Sequence, residues 1–600
     1  MKMYPLLLAL PLFIASCGSD NGGTESGMGG GGSTPTPPAA LGTVISTADR
    51  ITLDVATDKV CYKPGEKVLF TLTSGTLPAG ARMRYRNGND VVADEAISGT
   101  SWTWTAPDAD YTGYMADIYT ADGDKVESVY AAIAVDVSSD WGCFPRYGFI
   151  ASYGTDKTEA VRNNEFKLLN RCHINGLQFY DWQYKHHWPL GGTPGNLLPV
   201  YKDIANRDIS TDVVKGYIDL AHRQGMKAMF YNLCFGVLDD AAADGVKASW
   251  NIYKDNARRN QDHHQLPDSW KSSIYLVDPS STGWQDYLAN RNNDVYTALG
   301  FDGFHIDQLG DRGTVYDYYG GKCNLRTGYA SFINAMKKRH PDKSLVMNAV
   351  SNWGAENILG TGNMDFMYSE LWDGESTFAD LLSILNANTG YAGGKKMGQV
   401  YAAYMNYGHK TAQFNTPGVL LTDAVMFAVG ASHLELGDGH MLCSEYFPYS
   451  ELKMSAELQK AIVAYYDFLT AYQNLLRDGG TQTAADLTAA SSAVKLNAWP
   501  PALGTVTTFA REVNGKKVIH LLNFRKANSL SWRDQNSTMP EPDTLTGLVL
   551  SLKATGVKTL WAASPDVLGG APQQLTFRQE GDRITFSVPS LKYWTMIVAE

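Results

Sequence analysis

Gly300-Phe301-Asp302-Gly303-Phe304-His305-Ile306-Asp307-Gln308-Leu309-Gly310-Asp311 reads as a short apolar strand that ends in an acid, Asp307, and then breaks into a loop. A second strand of the same design, Asn363-Met364-Asp365-Phe366-Met367-Tyr368-Ser369-Glu370-Leu371-Trp372, ends in Glu370, 63 residues further on. One βα unit takes roughly 30 residues or more, so the two acids stand about two strands apart. In a parallel barrel, C-terminal strand ends share one rim and face one cleft. Side-chain alternation puts His305 with Asp307, and Phe366 and Tyr368 with Glu370. Two carboxylates across a cleft are the machinery of glycoside cleavage.

Outward from these two strands, apolar strands and amphipathic helices alternate from about Phe144 onward. Strands are expected at Ile174–Tyr180, Met226–Asn232, Ser273–Asp278, Phe301–Asp307, Ser344–Ala349, Met364–Glu370, Gly398–Met405 and His433–Leu436. Helical patterns lie between them, for example Glu159–Asn170, Val213–Gln224 and Gly328–Arg339. Eight such units make a (β/α)8 TIM barrel, spanning 138–478 and ending in the helix Lys453–Leu476. The polar, aromatic connection Tyr180–Thr211 is expected to cover the cleft.

Residues 42–137 alternate apolar and polar positions between turns, as in Lys67-Val68-Leu69-Phe70-Thr71-Leu72, and read as an immunoglobulin-like β-sandwich. Residues 479–600 return to short strands and read as a second β-sandwich. Residues 1–17 look like a bacterial lipoprotein signal: Lys2, an apolar run from Leu6 to Ile14, then Ile14-Ala15-Ser16-Cys17 with cleavage before Cys17 and acylation of its thiol. A plain signal peptide with an incidental cysteine is the alternative; the apolar run is too short for a transmembrane helix. Residues 18–41, rich in Gly, Ser, Thr and Pro, read as a flexible tether. The expected location is the bacterial outer membrane, facing the cell surface or the periplasm.

The chain has 51 basic and 62 acidic residues, a net charge of −11, and no basic run, which argues against nucleic-acid partners. Six cysteines besides Cys17 are scattered, without metal-ligand spacing, and read as buried thiols, with disulfides open to an exported chain. His186-His187 has no third ligand at a convincing spacing, so no metal is expected. No GxSxG occurs, so a serine nucleophile is unsupported.

Glycoside cleavage needs one ionised carboxylate and one that holds a proton near neutral pH. Asp307, short and fixed to its strand, suits the nucleophile; Glu370, longer and set among Tyr368, Leu371 and Trp372, suits the acid/base. Sugar-binding candidates are the polar and aromatic residues near strand ends: Tyr180, Asp181, Trp182, Lys185, His187, Asn232 and Asp278 early in the barrel, then His305, Asp311, Asn348, Tyr368, Trp372 and Asn406. Asp239, Asp240 and Glu445 read as solvated loop charges.

Three motifs together are specific. Ile174-Asn175-Gly176-Leu177-Gln178-Phe179-Tyr180-Asp181-Trp182-Gln183-Tyr184, Gly303-Phe304-His305-Ile306-Asp307-Gln308-Leu309-Gly310-Asp311 and Tyr368-Ser369-Glu370-Leu371-Trp372 resemble glycoside hydrolase family 66. That family comprises endo-dextranases and cycloisomaltooligosaccharide glucanotransferases, and the resemblance covers about residues 42–600. It implies retaining cleavage of α-1,6-glucan (dextran and isomaltooligosaccharides) without a cofactor, Asp307 as nucleophile and Glu370 as acid/base. Cyclising members carry a carbohydrate-binding module late in the barrel; the short stretch before the eighth strand here favours hydrolysis. A surface glycan-binding lipoprotein with a degenerate barrel and an α-galactosidase-like hydrolase are the other readings. A lipid-anchored glycan hydrolase would work beside other glycan-uptake proteins.

Overall fold

The computed structural model describes residues 46–122, 126–409 and 412–600. The signal-like segment, Cys17 and the 18–41 tether lie outside the described residues. Eight parallel strands carry the two acids: β1 (Tyr147–Ile150), β2 (Gly176–Phe179), β3 (Lys227–Leu233), β4 (Gly303–Asp307), β5 (Ser344–Met347), β6 (Met367–Glu370), β7 (Gln399–Ala402) and β8 (Ala431–Leu434). β1 to β5 pair in sequence order. Two residues beyond the end of β5, Ala349–Val350 pairs with β6, which pairs with β7 and β7 with β8. Past β8 the Leu436 carbonyl accepts the Phe149 N–H at 3.1 Å, and Phe149 bridges Gly437 in parallel. The pairing thus passes through all eight strands and returns to the first.

The helices that follow the strands are α1 (Glu159–Arg171), α2 (Thr211–Arg223), α3 (Thr282–Leu299), α4 (Leu325–Arg339), α5 (Phe378–Tyr391), α6 (Thr416–Val429) and α7 (Ala456–Ala471). Local chemistry sets their ends. Thr158 caps α1 and Ser210 caps α2, each accepting a first-turn N–H. Thr377 and Asp380 form a capping box on α5, and Gly300 and Gly430, at positive φ, end α3 and α6. Alternate residues of the strands turn inward and fill the ring: Tyr147 and Phe149, Met229, Val346, Phe366 and Tyr368, Val400 and Leu434.

The expected count of eight parallel strands matches, but one member differs. Ile274–Leu276 pairs antiparallel with Gly236–Val237 and with His263–His264, in an excursion between β3 and α3. Its apolar alternation is that of any strand, and alternation does not encode direction. Tyr147–Ile150, buried at all four positions and too short to show a period, takes its place.

On the N-terminal side a five-stranded sheet and a three-stranded sheet share a core around Phe70, Tyr85 and Trp104. On the C-terminal side a seven-stranded and a four-stranded sheet share a second core around Leu521, Leu550 and Phe586. Arg146 and Asp136, both fully buried, pair at 2.7 Å and tie the first flank to the segment leading into β1. Asp467 of α7 accepts the Ala134 N–H and pairs with Arg171. Cys61, Cys143, Cys172, Cys234 and Cys323 are free thiols. Among the described residues, no helix is long and apolar enough to cross a membrane.

Candidate active site

β4 and β6 deliver Asp307 and Glu370 to the same end of the ring, with β5 between them. Asn348, immediately after β5, completes the set. Its Nδ2 donates to Asp307 Oδ1 at 2.9 Å and to Glu370 Oε2 at 2.8 Å. With one nitrogen bonded to both, the two oxygens lie within about 6 Å of each other, the separation suited to a nucleophile and acid/base pair in retaining cleavage. Each acid has a second donor: the Tyr231 hydroxyl on Asp307 Oδ2 at 2.8 Å, the Tyr404 hydroxyl on Glu370 Oε1 at 2.6 Å.

A cavity of about 460 Å³ opens over the pair. Its walls are largely aromatic. Tyr180 stacks on Phe447 with centroids 4.3 Å apart, Tyr231 packs against Tyr180, and Trp372 leans on Tyr404. Trp270 and Tyr446 meet at another part of the lining. A larger cavity, about 820 Å³, lies against α7 and both flanks and shares no lining residue with the one over the acid pair. The acid pair, not the volume, makes the smaller one the candidate site.

Burial raises Glu370 to about 7, and the charge of Asp307 adds to the shift; Tyr404 and Asn348 act against it. Burial also raises Asp307, while the donors Tyr231 and Asn348 and the Gln308 N–H favour its ionised form. The charge of Asp307 is among the causes that raise Glu370, so Glu370 is the readier of the two to hold a proton. Asp181 is raised by burial to about 7 as well, and His305 is lowered by burial to about 3, so His305 is neutral in its stack with Tyr147 and Tyr231.

The tyrosine on Glu370 has a testable consequence. Its hydroxyl favours the carboxylate, so Tyr404→Phe raises the Glu370 pKa further. The alkaline limb of kcat against pH is expected to move to higher pH; a limb that stays put or falls would contradict this.

The glycosyl hydrolase family 66 model matches residues 57–598, nearly the whole described chain. The chain belongs to that family. It is 26% identical to a cycloisomaltooligosaccharide glucanotransferase of Niallia circulans over 94% of this chain and 72% of the relative. It is 25% identical to a dextranase of Streptococcus salivarius over 87% of this chain and 70% of the relative. In three dimensions it is similar to a Paenibacillus sp. cycloisomaltooligosaccharide glucanotransferase complexed with cycloisomaltoheptaose, with a TM-score of 0.84 and 24% identity, over 92% of this chain and all of that one. The protein is thus a glycoside hydrolase of family 66.

Within this family 66 site the structure brings together Tyr180, Asp181, His305, Asn348, Tyr368 and Trp372 with the two acids. The other expected sugar contacts do not line the cavity. Trp182 is fully buried against Phe230 and Phe301, because Asp181 at φ 46° turns the chain and sends the indole into the core. Lys185 is bound by Asp240 and Asp244, and the Nε2 of His187 also reaches Asp244. These contacts also correct the reading of Asp240 as merely solvated. Asn232 points off the ring's inner face and holds the main chain and ring of His186. Asp278 and Asp311 accept N–H groups of their own turns, at Ser280 and Gly313. Asn406 donates to the backbone of 533–534, from its N–H to the Arg533 carbonyl and from its Nδ2 to the Asp534 carbonyl.

Among the described residues, two groups have ligand atoms close enough for a cation. In His187, Asp240 and Asp244 the Lys185 ammonium already bonds both aspartates. In Asp423, His433 and Glu435 both ring nitrogens of His433 are engaged, Nδ1 with Asp423 and Nε2 with the Ala403 carbonyl, so a protonated imidazole serves there.

The sequence reading misses Tyr231, Tyr404, Gln178, Trp270, Tyr446 and Phe447. Alternation carried along every strand would have found three of them. Gln178 shares a face with Tyr180 on β2 and its extension. Met229, Tyr231 and Leu233 share one face of β3, and Val400, Ala402 and Tyr404 one face of β7 and its extension. Glu445, read as a solvated charge, stands exposed at the rim and accepts the Tyr407 hydroxyl at 2.9 Å.

The correction at Trp182 is testable. Trp182→Ala is expected to cost about 3–5 kcal/mol of stability, because it empties a packed core site. A urea midpoint unchanged by the substitution, with only substrate affinity lost, would restore it to the sugar site.

Proposed function

We propose that this family 66 protein is an endo-dextranase that hydrolyses α-1,6-glucosidic linkages with retention, through a covalent glucosyl-enzyme. The observation that carries the reading is the Asn348 amide bonded to both carboxylates at once. Ionised Asp307 attacks C1 of a glucosyl unit, and the C1–O6 bond breaks. The Glu370 proton goes to O6, so the departing glucan leaves with a free 6-hydroxyl. Glu370, now a carboxylate, takes a proton from water; the water oxygen attacks C1 and frees Asp307. Two inversions give net retention. No step calls for a cofactor.

The ring of parallel strands supports reading residues 138–478 as a (β/α)8 barrel. The paired sheets at each end support the immunoglobulin-like sandwich at 42–137 and the C-terminal sandwich at 479–600. Tyr180, Asp181, His305, Tyr368 and Trp372 are the proposed sugar contacts. The relatives' names favour α-1,6-glucan and isomaltooligosaccharides as ligands. Residues 1–17 support a lipid anchor on Cys17 at the bacterial outer membrane, which would place the enzyme beside other glycan-uptake proteins. Cys17→Ala is the check: activity should move from the membrane fraction to the soluble one, and retention in the membrane would reject the anchor.

A cycloisomaltooligosaccharide glucanotransferase is the second reading, favoured by the 26% identity to such an enzyme. Against it, the residues between β7 and β8 form one loop and α6 among those described, with no additional sheet. Incubation with dextran, pullulan and starch, followed by sizing, tests the proposal. Rapid shortening of dextran to linear isomaltooligosaccharides is expected. Cyclic products would select the transferase. Dextran bound to an affinity gel with no reducing sugar released would select a glycan-binding protein, and cleavage of starch alone would overturn the linkage.

A further inference from the structure

A segment of the C-terminal region, residues 530–539, is wedged against the loops that follow β6 and β7. The Trp532 indole N–H donates to the Glu375 carbonyl, and Thr422 of α6 donates to the Trp532 carbonyl. The N–H of Asn406 donates to the Arg533 carbonyl, and that of Gly408 to the Gln535 carbonyl. Asn415 donates to Asp534 Oδ2 at 2.7 Å. Contact is close enough that a Cβ on Gly418 would lie 2.4 Å from the same oxygen, so a larger residue there would have to displace the Asp534 side chain.

Arg533 occupies the inner end of this wedge. It is 6% exposed, and among the described residues no carboxylate forms an ion pair with it. Its guanidinium instead donates to two main-chain carbonyls: Nη2 to Leu371 at 3.0 Å and Nη1 to Tyr404 at 3.2 Å. Leu371 directly follows Glu370, and Tyr404 supplies the hydroxyl on Glu370 Oε1. One planar fork thus holds both the chain that bears the acid and the chain that bears its hydrogen-bond donor. The same cation sits over Trp372 and Tyr407, 5.7 and 5.4 Å from the ring centroids, behind the aromatic wall of the cavity.

We propose that Arg533 is a positioning residue for Glu370: by fixing the Leu371 and Tyr404 carbonyls it sets where the acid meets the leaving oxygen, making the C-terminal region part of the catalytic apparatus. The proposal rests on the reading of Glu370 as acid/base. A buried guanidinium fits the task because it cannot lose its charge and its five donors are rigidly arranged. A small displacement of the acid matters because proton donation depends on its alignment with the departing oxygen.

The test compares wild type, Arg533→Met and Arg533→Lys on dextran and on an isomaltooligosaccharide carrying a dinitrophenyl leaving group. The dinitrophenolate leaves without a proton, so its release does not depend on the placement of Glu370. For Arg533→Met, kcat on dextran is expected to fall about 10- to 100-fold, with KM little changed and the first-turnover rate of dinitrophenolate release from the activated substrate within about threefold of wild type. Arg533→Lys keeps the charge but not the fork, and should lie between. Equal losses on the two substrates, or a loss carried wholly by KM, would reduce Arg533 to structure or sugar binding and overturn the proposal. If Arg533→Met lowers the urea midpoint so far that it is unfolded in the assay, the same comparison on Arg533→Lys decides. Failure of the underlying reading looks different: Glu370→Gln itself would then show no preference for the activated substrate.

Discussion

Asp307→Ala is expected to lower dextran cleavage by a factor of about 10⁴ or more, since it removes the group that forms the covalent bond. The fold should survive, because Asp307 is only half-buried at the cavity and its loss leaves Tyr231 and Asn348 next to open space rather than core. Azide should restore part of the rate by entering the vacated position. Attack from that side inverts C1 once, so the product would be the β-glucosyl azide. Activity within about a hundredfold of wild type would reject Asp307 as nucleophile.

Glu370→Gln is the second large effect. The amide keeps the shape but has no proton to give, so dextran cleavage should fall about 10²- to 10⁴-fold, the usual worth of a general acid. A substrate with a dinitrophenyl leaving group should lose far less in formation of the glucosyl-enzyme. Its turnover is then limited by release of that ester, because Glu370 also activates the water. Equal losses in the first step on both substrates would argue against the acid role. The same variant carries a stability prediction. The Glu370 carboxyl has a folded-state pKa raised from 4.5 to about 7, so the folded state binds its proton more tightly than the unfolded chain. Stability from this group is full below the unfolded pKa and is lost as pH rises from 4.5 through about 7. Glutamine does not titrate. The variant should therefore unfold at a higher temperature than wild type at pH 8, with the difference shrinking toward pH 4.

Much of the fold was legible because the parallel strands are buried on both faces and read as apolar runs. Seven of the eight expected barrel strands overlap those observed; the exception is Ser273–Asp278. Tyr147–Ile150 escaped because four residues hold no period, and Ile274–Leu276 passed for a ring strand because a run of side chains does not record its direction. The acid pair was readable from one rule, alternation toward the C-terminal end of a strand. Where that rule was not applied, the choice went wrong: Asn232 was taken and Tyr231 overlooked, Asn406 taken and Tyr404 overlooked. Trp182 failed for another reason, a main-chain turn at Asp181 with positive φ that no pattern of hydrophobicity reveals. Arg533 could not be found from sequence at all. It lies 163 residues beyond Glu370, and only the packing of the C-terminal wedge brings it to the acid.

In the proposed mechanism Asp307 and Glu370 act as a nucleophile and an acid/base on one bond, with a glucosyl ester between them. Proton NMR of the first products, recorded before mutarotation, tests it directly. Reducing ends released as the α-anomer are the expected result; release as the β-anomer would mean a single inversion and would contradict it.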